Sequence, residues 1–502
     1  MGMRVDLVAA PIRYPRAPLL LLLVFALVPT VALAALFAWS DDQADTYEAA
    51  RTAADSEEGS SQPAPPPGEL AAVLATGLFS YRRASEDISD FTERDRLAEA
   101  VDPIYGFIND GSCVAVSVDG RLVTIKNGDT PVIPASTQKL LIATVALETL
   151  GDDYRFRTTV AARAHVDGVV DGDIFLVGGG DPNLVSDDYP IDDDRYPAFN
   201  TTSLDRLADA IVGSGITTVR GSVVGDGSRY DDQFVIASWG DDVAFIDGGP
   251  YDALLVNDSR TLGRSSRQRD PNEAAAREFA RLLANRGVQV NSGWTSGLAD
   301  PNVPIVGSID SKPLSAVVAE MLTTSDNNTA EMLLKELGFA DSGEGTVAGG
   351  LNVVDRTLRS WGVPMEGVRL VDGSGLSSDN RLTCTALLAV LHRAGDGALP
   401  AGLPVAARTG TLIEEFTDSP VEGRLIAKTG TLSNPPIDSD PPAVKALAGY
   451  LDAANGSSIE FVIIQTGPDI TEEGKYQVLW LALGDRLNTY PDGPGTDGLG
   501  PR

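Results

Sequence analysis

The stretch Val132–Leu150, VIPASTQKLLIATVALETL, places a serine and a lysine at the beginning of an apolar segment. The apolar residues after Lys139 have the spacing of a buried helix, and Gly151 supplies a stop signal, so a helix is predicted here. Ser136 then lies in its first turn, and Lys139, three residues later, lies close to the same face. This arrangement predicts a serine nucleophile with an amine beside it.

A serine hydroxyl is a weak nucleophile at neutral pH and needs a neighbouring base to accept its proton. Lys139 is the candidate base, provided that the pKa of its amine is lowered. Burial, the positive end of the helix and a second cation, for which Lys428 is the candidate, are all expected to lower it. Alone, however, a serine N-cap followed by a solvated lysine produces the same sequence pattern.

A second polar element, Ser325-Asp326-Asn327, separates two predicted helices, Leu314–Leu322 and Thr329–Leu337. It is therefore predicted to lie on a tight interhelical loop, from which short polar side chains can point into a cleft. We expect Ser325 to relay a proton to the leaving group and Asn327 to hydrogen-bond the substrate backbone. An ordinary helix N-cap is the alternative interpretation, because Ser, Asp and Asn all favour that position.

A third element, Lys428-Thr429-Gly430-Thr431, follows the β-like run 424–427. It precedes a predicted hairpin of strands Val444–Leu451 and Ile459–Gln465. The pattern predicts that the third element lies on a strand lining the cleft. An edge strand with a solubilising lysine is the alternative interpretation.

Each residue of this third element has an expected role. Lys428 and Thr429 are expected to bind a terminal carboxylate through charge and hydroxyl together. Gly430 is expected to keep the strand edge bare, so that a substrate can lie against it. The backbone N–H groups of Thr431 and Ser136 are expected to form an oxyanion hole.

Other catalytic arrangements are disfavoured. The segment Arg408-Thr409-Gly410-Thr411 imitates the third element, but it leads into the polar stretch 413–416, which is predicted to be a loop. The two histidines, His165 and His392, do not accompany a Gly-x-Ser-x-Gly turn, which argues against a Ser-His-Asp hydrolase. The two histidines and two cysteines lie far apart in the chain, so we expect no zinc site, no other metal and no cofactor.

Together the three elements resemble those of the penicillin-binding proteins that act as D-alanyl-D-alanine carboxypeptidases, in particular the low-molecular-mass class C group. The similarity runs from about Leu70 to about Leu487, and the long separation of Ser136 from Ser325 is its most specific part. Class A β-lactamases resemble this pattern but place the second element closer to the first. Further similar stretches are Pro134–Leu140, Leu176–Pro182, Gly225–Tyr230 and Asp372–Ser377.

The resemblance implies an α/β fold, a penicillin-binding transpeptidase-like or β-lactamase-like sandwich with an antiparallel sheet flanked by helices and a mostly β inserted domain. It implies that Ser136 is acylated and that Lys139 is its base. Ser325 and Asn327 would assist proton transfer and hold the substrate, while Lys428 and Thr429 would bind its carboxylate. The loop 435–442 after the third element departs from the pattern of the family.

The implied function is that of an exported serine D-Ala-D-Ala carboxypeptidase, with endopeptidase activity left open. Its substrates would be peptidoglycan stem peptides, and β-lactams would acylate the same serine. A β-lactamase or esterase on the same scaffold is one alternative. A cell-wall-binding protein that has lost its chemistry is another.

The chain is predicted to be exported and to contain two folded domains. An apolar run long enough to span a bilayer follows a basic N-terminus, although Ala32-Leu33-Ala34 resembles a cleavage site, so a retained anchor and a cleaved signal both stay open. The predicted segments are a cytoplasmic segment 1–16, a membrane or signal segment 17–39, a flexible linker 40–68, a catalytic domain 69–153 and 308–487, an inserted strand-rich domain 154–307 and a disordered tail 488–502.

Composition limits the partners. A net charge of −32 over 502 residues leaves no basic surface for phosphates, so we expect no nucleic-acid binding. A hydrophobic content of 43% is enough for a large core. Cys113 and Cys384 fit either one disulfide, which export permits, or two buried free thiols.

Overall fold

The computed structural model describes residues 81–189, 199–240, 243–264, 266–432, 443–468, 470 and 474–491. The predicted cytoplasmic segment, membrane or signal segment and linker lie outside these residues, as do residues 492–502 of the predicted tail. Within the described ranges, no helix combines the length and the apolar character needed to cross a bilayer.

The described part of the chain contains both helices and strands. The helices are α1 (Tyr81–Val101), α2 (Lys139–Leu150), α3 (Leu204–Gly213), α4 (Pro271–Asn285), α5 (Leu314–Thr324), α6 (Asn327–Ser342), α7 (Val347–Ser360), α8 (Cys384–Ala394) and α9 (Lys475–Leu487). The strands are β1 (Cys113–Val118), β2 (Arg121–Lys126), β3 (Arg157–Ala162), β4 (Val169–Val170), β5 (Ile174–Val177), β6 (Leu184–Val185), β7 (Thr202–Ser203), β8 (Thr218–Val219), β9 (Val223–Asp226), β10 (Gln289–Val290), β11 (Trp294–Ser296), β12 (Ile305–Asp310), β13 (Leu425–Leu432), β14 (Val444–Asp452) and β15 (Ser458–Thr466). Short 3-10 turns occur at Asp102–Phe107, Ala135–Gln138, Asn257–Ser259, Pro400–Gly402 and Gly410–Leu412.

The main sheet is antiparallel, with the strand order β13-β14-β15-β1-β2. Successive side chains of β1 enter different cores, because neighbouring residues of a strand point to opposite faces. Cys113 and Ala115 join the core formed with α2 and α5–α8, whereas Val114 and Val116 join the core formed with α1 and α9. The sheet is therefore covered by helices on both faces, which confirms the predicted sandwich.

The elements predicted around the three motifs are confirmed. Helix α2 is buried from Lys139 to Leu147, as its apolar sequence indicates. The predicted hairpin is the β14–β15 pair, and the run before Lys428 is the beginning of β13. β13 lies at the edge of the sheet, where Pro404 and Ala406 hydrogen-bond the backbone of Ala427 and Leu425, so the edge from Lys428 onward is the part left for an extended ligand.

A second group of strands, between residues 157 and 310, has its own core with α3 and α4. Its larger sheet has the order β11-β9-β5-β3-β12, and a smaller parallel sheet has the order β10-β8-β4. Strand β12 pairs with β3 through Asp310. The predicted domain boundary between residues 307 and 308 therefore falls inside a strand, and the pairing moves it beyond Asp310.

Residues 228–256 also differ from the prediction that the whole of 154–307 forms a separate domain. Tyr230, Trp239 and Tyr251 are buried in the core that contains α2 and α5–α8. Lys335 of α6 is fully buried and forms an ion pair of 2.6 Å with Asp231. The segment is thus attached to the helix that follows the second motif, and it reaches the active site described below.

Cys113 and Cys384 form a disulfide with their Cα atoms 6.1 Å apart. Both residues are buried, and the bond joins β1 of the main sheet to the beginning of α8. The structure thereby decides between the two interpretations that the sequence left open. Because the cysteines are 271 residues apart in sequence, the bond greatly restricts the unfolded chain.

Replacing both cysteines with alanine is expected to lower the free energy of unfolding by about 2–5 kcal/mol. Urea denaturation without reductant measures the difference. The wild type should move toward the midpoint of the double variant when a reductant is present during unfolding, whereas the double variant should not respond. Equal midpoints for the two proteins without reductant would contradict a stabilising disulfide.

Candidate active site

Ser136 lies on a sharply constrained turn before α2. The preceding residue, Ala135, has a φ of 47°, a left-handed conformation that is unfavourable for a residue with a side chain. Two glycines enclose the turn: a Cβ on Gly375 would lie 2.0 Å from the carbonyl oxygen of Ala135, and one on Gly430 would lie 3.1 Å from that of Pro134. The position of the serine is therefore fixed by close backbone contacts.

The structure corrects the expected role of Gly430. This residue is buried and faces the Ser136 turn and Ala446, so its missing side chain does not clear an edge for the substrate. It allows β13 to approach the nucleophile closely. A Cβ here would come within 3.1 to 3.2 Å of Ala446, Pro134 and Ala135, so the strand or the turn would have to shift by a few tenths of an ångström.

The amine of Lys139 is fully buried and touches three oxygen atoms. Its Nζ lies 3.0 Å from Ser136 Oγ, 2.6 Å from Asn327 Oδ1 and 2.7 Å from the carbonyl oxygen of Ser374. A neutral amine has two hydrogens and one lone pair. The amide oxygen and the carbonyl oxygen accept the two hydrogens, because neither can donate. The lone pair then faces the hydroxyl of Ser136.

Burial lowers the pKa of Lys139 to about 8, although the nearby carboxylates of Asp326, Glu331 and Asp372 raise it. The sequence predicted that Lys428, as a second cation, would also lower this pKa. In the structure, the neighbouring cation instead lowers the pKa of Lys428. Burial, and then the positive charge of Lys139, hold the pKa of Lys428 well below its usual value. Desolvation is therefore the main reason why Lys139 can be neutral.

The second motif joins α5 to α6. Ser325 ends α5 in the left-handed conformation, with φ at 64°, and Asp326 caps α6 by accepting the backbone N–H of Thr329 at 2.6 Å. The N-cap interpretation is thus correct for Asp326. Ser325 instead accepts a hydrogen bond of 2.8 Å from the amine of Lys428.

Asn327 is held at both ends of its amide. Its oxygen accepts from Lys139, and its Nδ2 donates to the backbone carbonyl of Asp247 at 2.9 Å. Next to it, the side-chain oxygen of Asn328 accepts the N–H of Gly249 at 2.7 Å. The carbonyl of Asp247 therefore sets the orientation of Asn327, a long-range contact for which no sequence pattern was a signal.

The threonine hydroxyls of the third motif are more accessible to solvent than its lysine amine. Lys428 is fully buried and also donates to the carbonyl oxygen of Thr429 at 2.7 Å. Thr429 is half-buried and Thr431 is exposed. The prediction that Lys428 meets a carboxylate directly stays a prediction, since its amine here contacts the hydroxyl of Ser325.

Thr411 is a site residue that the sequence reasoning missed. Its hydroxyl lies 2.7 Å from that of Thr429, and it belongs to the 3-10 turn Gly410–Leu412. Arg408, from the segment that imitates the third motif, is exposed and pairs with Glu422 at 2.9 Å. The segment that begins with Arg408 is therefore not the third motif. Its Thr-Gly-Thr pattern, which repeats that of the third motif, was a signal that this segment lies beside the third motif.

The loop 372–377 supplies the carbonyl that holds Lys139. Asp372 is fully buried and accepts hydrogen bonds from Trp239 Nε1 at 3.0 Å and from the backbone N–H of Ser377 at 2.7 Å. It also accepts the N–H of Gly375 at 2.9 Å. The peptide between Ser374 and Gly375 is therefore fixed at its N–H by Asp372, while its carbonyl oxygen faces Lys139.

The described ranges contain no group of three His, Cys, Asp or Glu side chains placed to hold a metal ion. The site described above consists of hydroxyls, amines, amides and backbone groups. The chemistry that these groups can perform is nucleophilic acyl transfer by Ser136, with Lys139 as the proton acceptor.

Comparison with known proteins agrees with this chemistry. The sequence model of the D-Ala-D-Ala carboxypeptidase 3 (S13) family matches residues 106–264 and 255–479. A carboxypeptidase of Mycobacterium tuberculosis is 30% identical over 425 residues, which cover 81% of this chain and 87% of that protein. A D-alanyl-D-alanine carboxypeptidase of an Actinomadura species is 27% identical over 467 residues, covering 76% and 80%.

The fold is also that of a solved structure, penicillin binding protein 4 from Haemophilus influenzae. The TM-score is 0.63 at 21% identity, covering 77% of this chain and 98% of that one. Both parts of the family match include a motif of the active site: Ser136 and Lys139 lie in the first, and the second and third motifs lie in the second. The chain therefore belongs to the D-Ala-D-Ala carboxypeptidase 3 (S13) family.

Proposed function

We propose that this chain is a serine D-Ala-D-Ala carboxypeptidase that removes the terminal D-Ala from peptidoglycan stem peptides through an acyl-enzyme. One observation carries the proposal: the buried amine of Lys139 lies 3.0 Å from Ser136 Oγ, with its two other contacts occupied by acceptors. The amine can therefore accept the serine proton, and the family supplies the substrate class.

Acylation begins when the hydroxyl proton of Ser136 passes to Lys139 and Oγ attacks the carbonyl of the penultimate D-Ala. The N–H groups of Ser136 and Thr431 stabilise the oxyanion, because β13 packs against the Ser136 turn. Ser325, connected to Lys428, gives a proton to the leaving amine. The C–N bond then breaks and D-Ala departs.

Deacylation uses the same groups in the reverse order. Water enters the place of the leaving amine and gives a proton to Ser325, which lost its own to that amine, as the water oxygen attacks the ester; Lys139 still holds the proton of Ser136. The ester bond breaks, and Ser136 recovers its proton. A β-lactam also acylates Ser136, because it presents an amide carbonyl and a carboxylate to the same groups.

The terminal carboxylate of the substrate lies against Thr429 and Thr431 at the accessible edge of β13. Their hydroxyls donate to the carboxylate, and Lys428 polarises Ser325 from below. Hydrogen bonds to charged groups contribute about 1.5–3 kcal/mol. Lys139 and Lys428 are buried, but the amine of Lys445 donates to Thr431 Oγ1 at 2.9 Å and adds a positive charge beside the free C-terminus.

A peptide ending in D-Ala-D-Ala is therefore expected to be cleaved with a kcat/KM about 100-fold higher than the same peptide with a C-terminal amide. Release of D-Ala, or of D-alaninamide from the amidated peptide, measures both rates. The Thr429→Val variant, which keeps the shape but loses the hydroxyl, should reduce the ratio mainly by slowing the free acid. Equal rates for both peptides in the wild type would contradict carboxypeptidase specificity.

We also propose that the catalytic part works outside the cytoplasm, held or exported by the apolar segment 17–39. The support is the sequence: this run is long enough to span a bilayer and follows a basic flank. Fractionation of cells that produce the full chain should place it in the membrane or the medium. Recovery of the whole protein from the cytoplasm would overturn this proposal, but it would not affect the proposed acylation of Ser136.

A further inference from the structure

Glu331 is a buried carboxylate that the mechanism above does not use. It lies on α6, four residues after Asn327, and is fully buried. Within the described part of the chain, no lysine or arginine forms an ion pair with it. A buried carboxylate without a cation is costly, so its interactions with other groups should show why it is there.

Its two oxygens bind the loop that carries the Ser374 carbonyl. The backbone N–H of Gly373 donates to both oxygens, at 3.0 and 2.9 Å, and the N–H of Ser374 donates to one of them at 2.7 Å. Because both oxygens accept backbone hydrogens, the contacts favour the carboxylate form over the acid.

A continuous chain of contacts therefore connects Glu331 with the base. Glu331 fixes the N–H of Ser374, and the carbonyl oxygen of the same residue accepts from Lys139 at 2.7 Å. Asp372 fixes the next peptide by accepting the N–H of Gly375. The two carboxylates hold the carbonyl from both sides, so that it cannot rotate away from the amine.

Charge connects the same residues. Taking the proton of Ser136 turns Lys139 into a buried ammonium, which a nearby negative charge stabilises. Glu331 and Asp372 both raise the pKa of Lys139, against the effect of burial. The groups that face Glu331 are Asp372 from the loop, Lys139 from α2 and Tyr251 from the segment 228–256. Burial, and then the charge of Asp372, raise the pKa of Glu331 itself to about 8 against its backbone hydrogen bonds, so its carboxylate is charged in the same alkaline range in which Lys139 becomes neutral.

We propose that Glu331 is a positioning residue for the acylation of Ser136. Its carboxylate holds, through the N–H groups of Gly373 and Ser374, the carbonyl that orients the Lys139 amine. Its charge stabilises the ammonium that Lys139 becomes. The role rests on the proposed function, because it concerns the same proton transfer.

Three variants test this role: Glu331→Gln, Glu331→Asp and, as a matched control, Glu336→Gln. Glu336 is a second fully buried carboxylate on α6, but it binds Arg229 and Tyr230, away from the loop. The measurement is the second-order rate constant for acylation by a fluorescent penicillin as a function of pH, with thermal unfolding recorded for each protein.

Glu331→Gln is expected to acylate about 100-fold more slowly, as for a misplaced catalytic group. The increase of its acylation rate with pH should occur at lower pH. The Lys139 ammonium loses a stabilising negative charge, so its pKa falls. Glu331→Asp keeps the charge, so it should lose rate while the rise stays in place. Glu336→Gln should lose thermal stability without moving the rise.

A Glu331→Gln variant with the rate and pH profile of the wild type would overturn the proposal. So would an equal shift of the rise in Glu336→Gln, since it would show a general effect of buried charge. If Glu331→Gln does not fold, Glu331→Asp provides the test. An acylation rate of Glu331→Asp equal to that of the wild type would contradict the positioning role of Glu331. A wild type that penicillin does not acylate would instead refute the proposed function itself.

Discussion

The Ser136→Ala variant is expected to form no covalent adduct with a fluorescent penicillin, whereas the wild type forms one adduct per chain. Oγ of Ser136 is the hydroxyl that touches the Lys139 amine, so its removal takes away the nucleophile and leaves the rest of the site in place. The size of the effect is a complete loss within detection. Gel fluorescence measures labelling, and mass spectrometry of the peptides locates the adduct.

A serine outside the site provides the control. Ser292 is exposed in the second group of strands, and Ser292→Ala should be labelled as fast as the wild type. An adduct that persists in Ser136→Ala would mean that another residue is the nucleophile. Rapid hydrolysis of penicillin by the wild type without a stable adduct would point to the β-lactamase alternative.

Replacing Lys139 with methionine is expected to slow acylation by about 1,000-fold, since a positioned general base contributes about 10²–10⁴. Methionine fills much of the buried space but cannot accept a proton. It also leaves Asn327 Oδ1 and the Ser374 carbonyl without their donor. Acylation rates from stopped-flow fluorescence, with a folded protein verified by circular dichroism, measure the loss.

Lys335→Met is the matched control for this experiment. Lys335 is another fully buried lysine, and it donates to the carbonyl oxygens of Asp231 and Gln233 at 3.0 and 2.9 Å. Its removal should lower stability and slow acylation of the folded protein far less than Lys139→Met does, because Lys335 contacts the segment 228–256 and not Ser136. If Lys139→Met and Lys335→Met slowed acylation alike, the special role of Lys139 as base would be wrong.

The sequence predicted the parts of the fold in which a local pattern coincides with a structural element. The buried run after Lys139, the two helices around Ser325 and the hairpin after Lys428 are each determined by periodicity and turn residues close by in sequence. The fold class and the family were implied by the resemblance of the three motifs and their order to a known family, and both are confirmed.

The contacts that the sequence reasoning missed join distant segments or involve the backbone. Asn327 is oriented by the carbonyl of Asp247, and Lys139 by the carbonyl of Ser374; no side-chain identity signals a carbonyl. Tyr230, Ile236, Trp239 and Tyr251 pack with the main core although they lie between strands of the other core, so chain order misled the domain boundaries.

Gly430 shows a different limit of sequence reasoning. A glycine in a strand indicates a close approach of some kind, but the sequence does not say of what. The partner is the backbone of the Ser136 turn, about three hundred residues earlier in the chain, where a substrate had been expected. Only the packing of β13 against that turn reveals the reason.

The pH dependence of Ser136 acylation by penicillin tests most directly whether a neutral Lys139 amine is the base. Burial lowers the pKa of Lys139 to about 8, so the protonated, inactive amine predominates below that pH and the free amine above it. The rate constant should therefore rise with pH to a plateau, with a midpoint close to 8. A rate that stays constant through this range, or a rise that survives unchanged in Lys139→Met, would contradict the account.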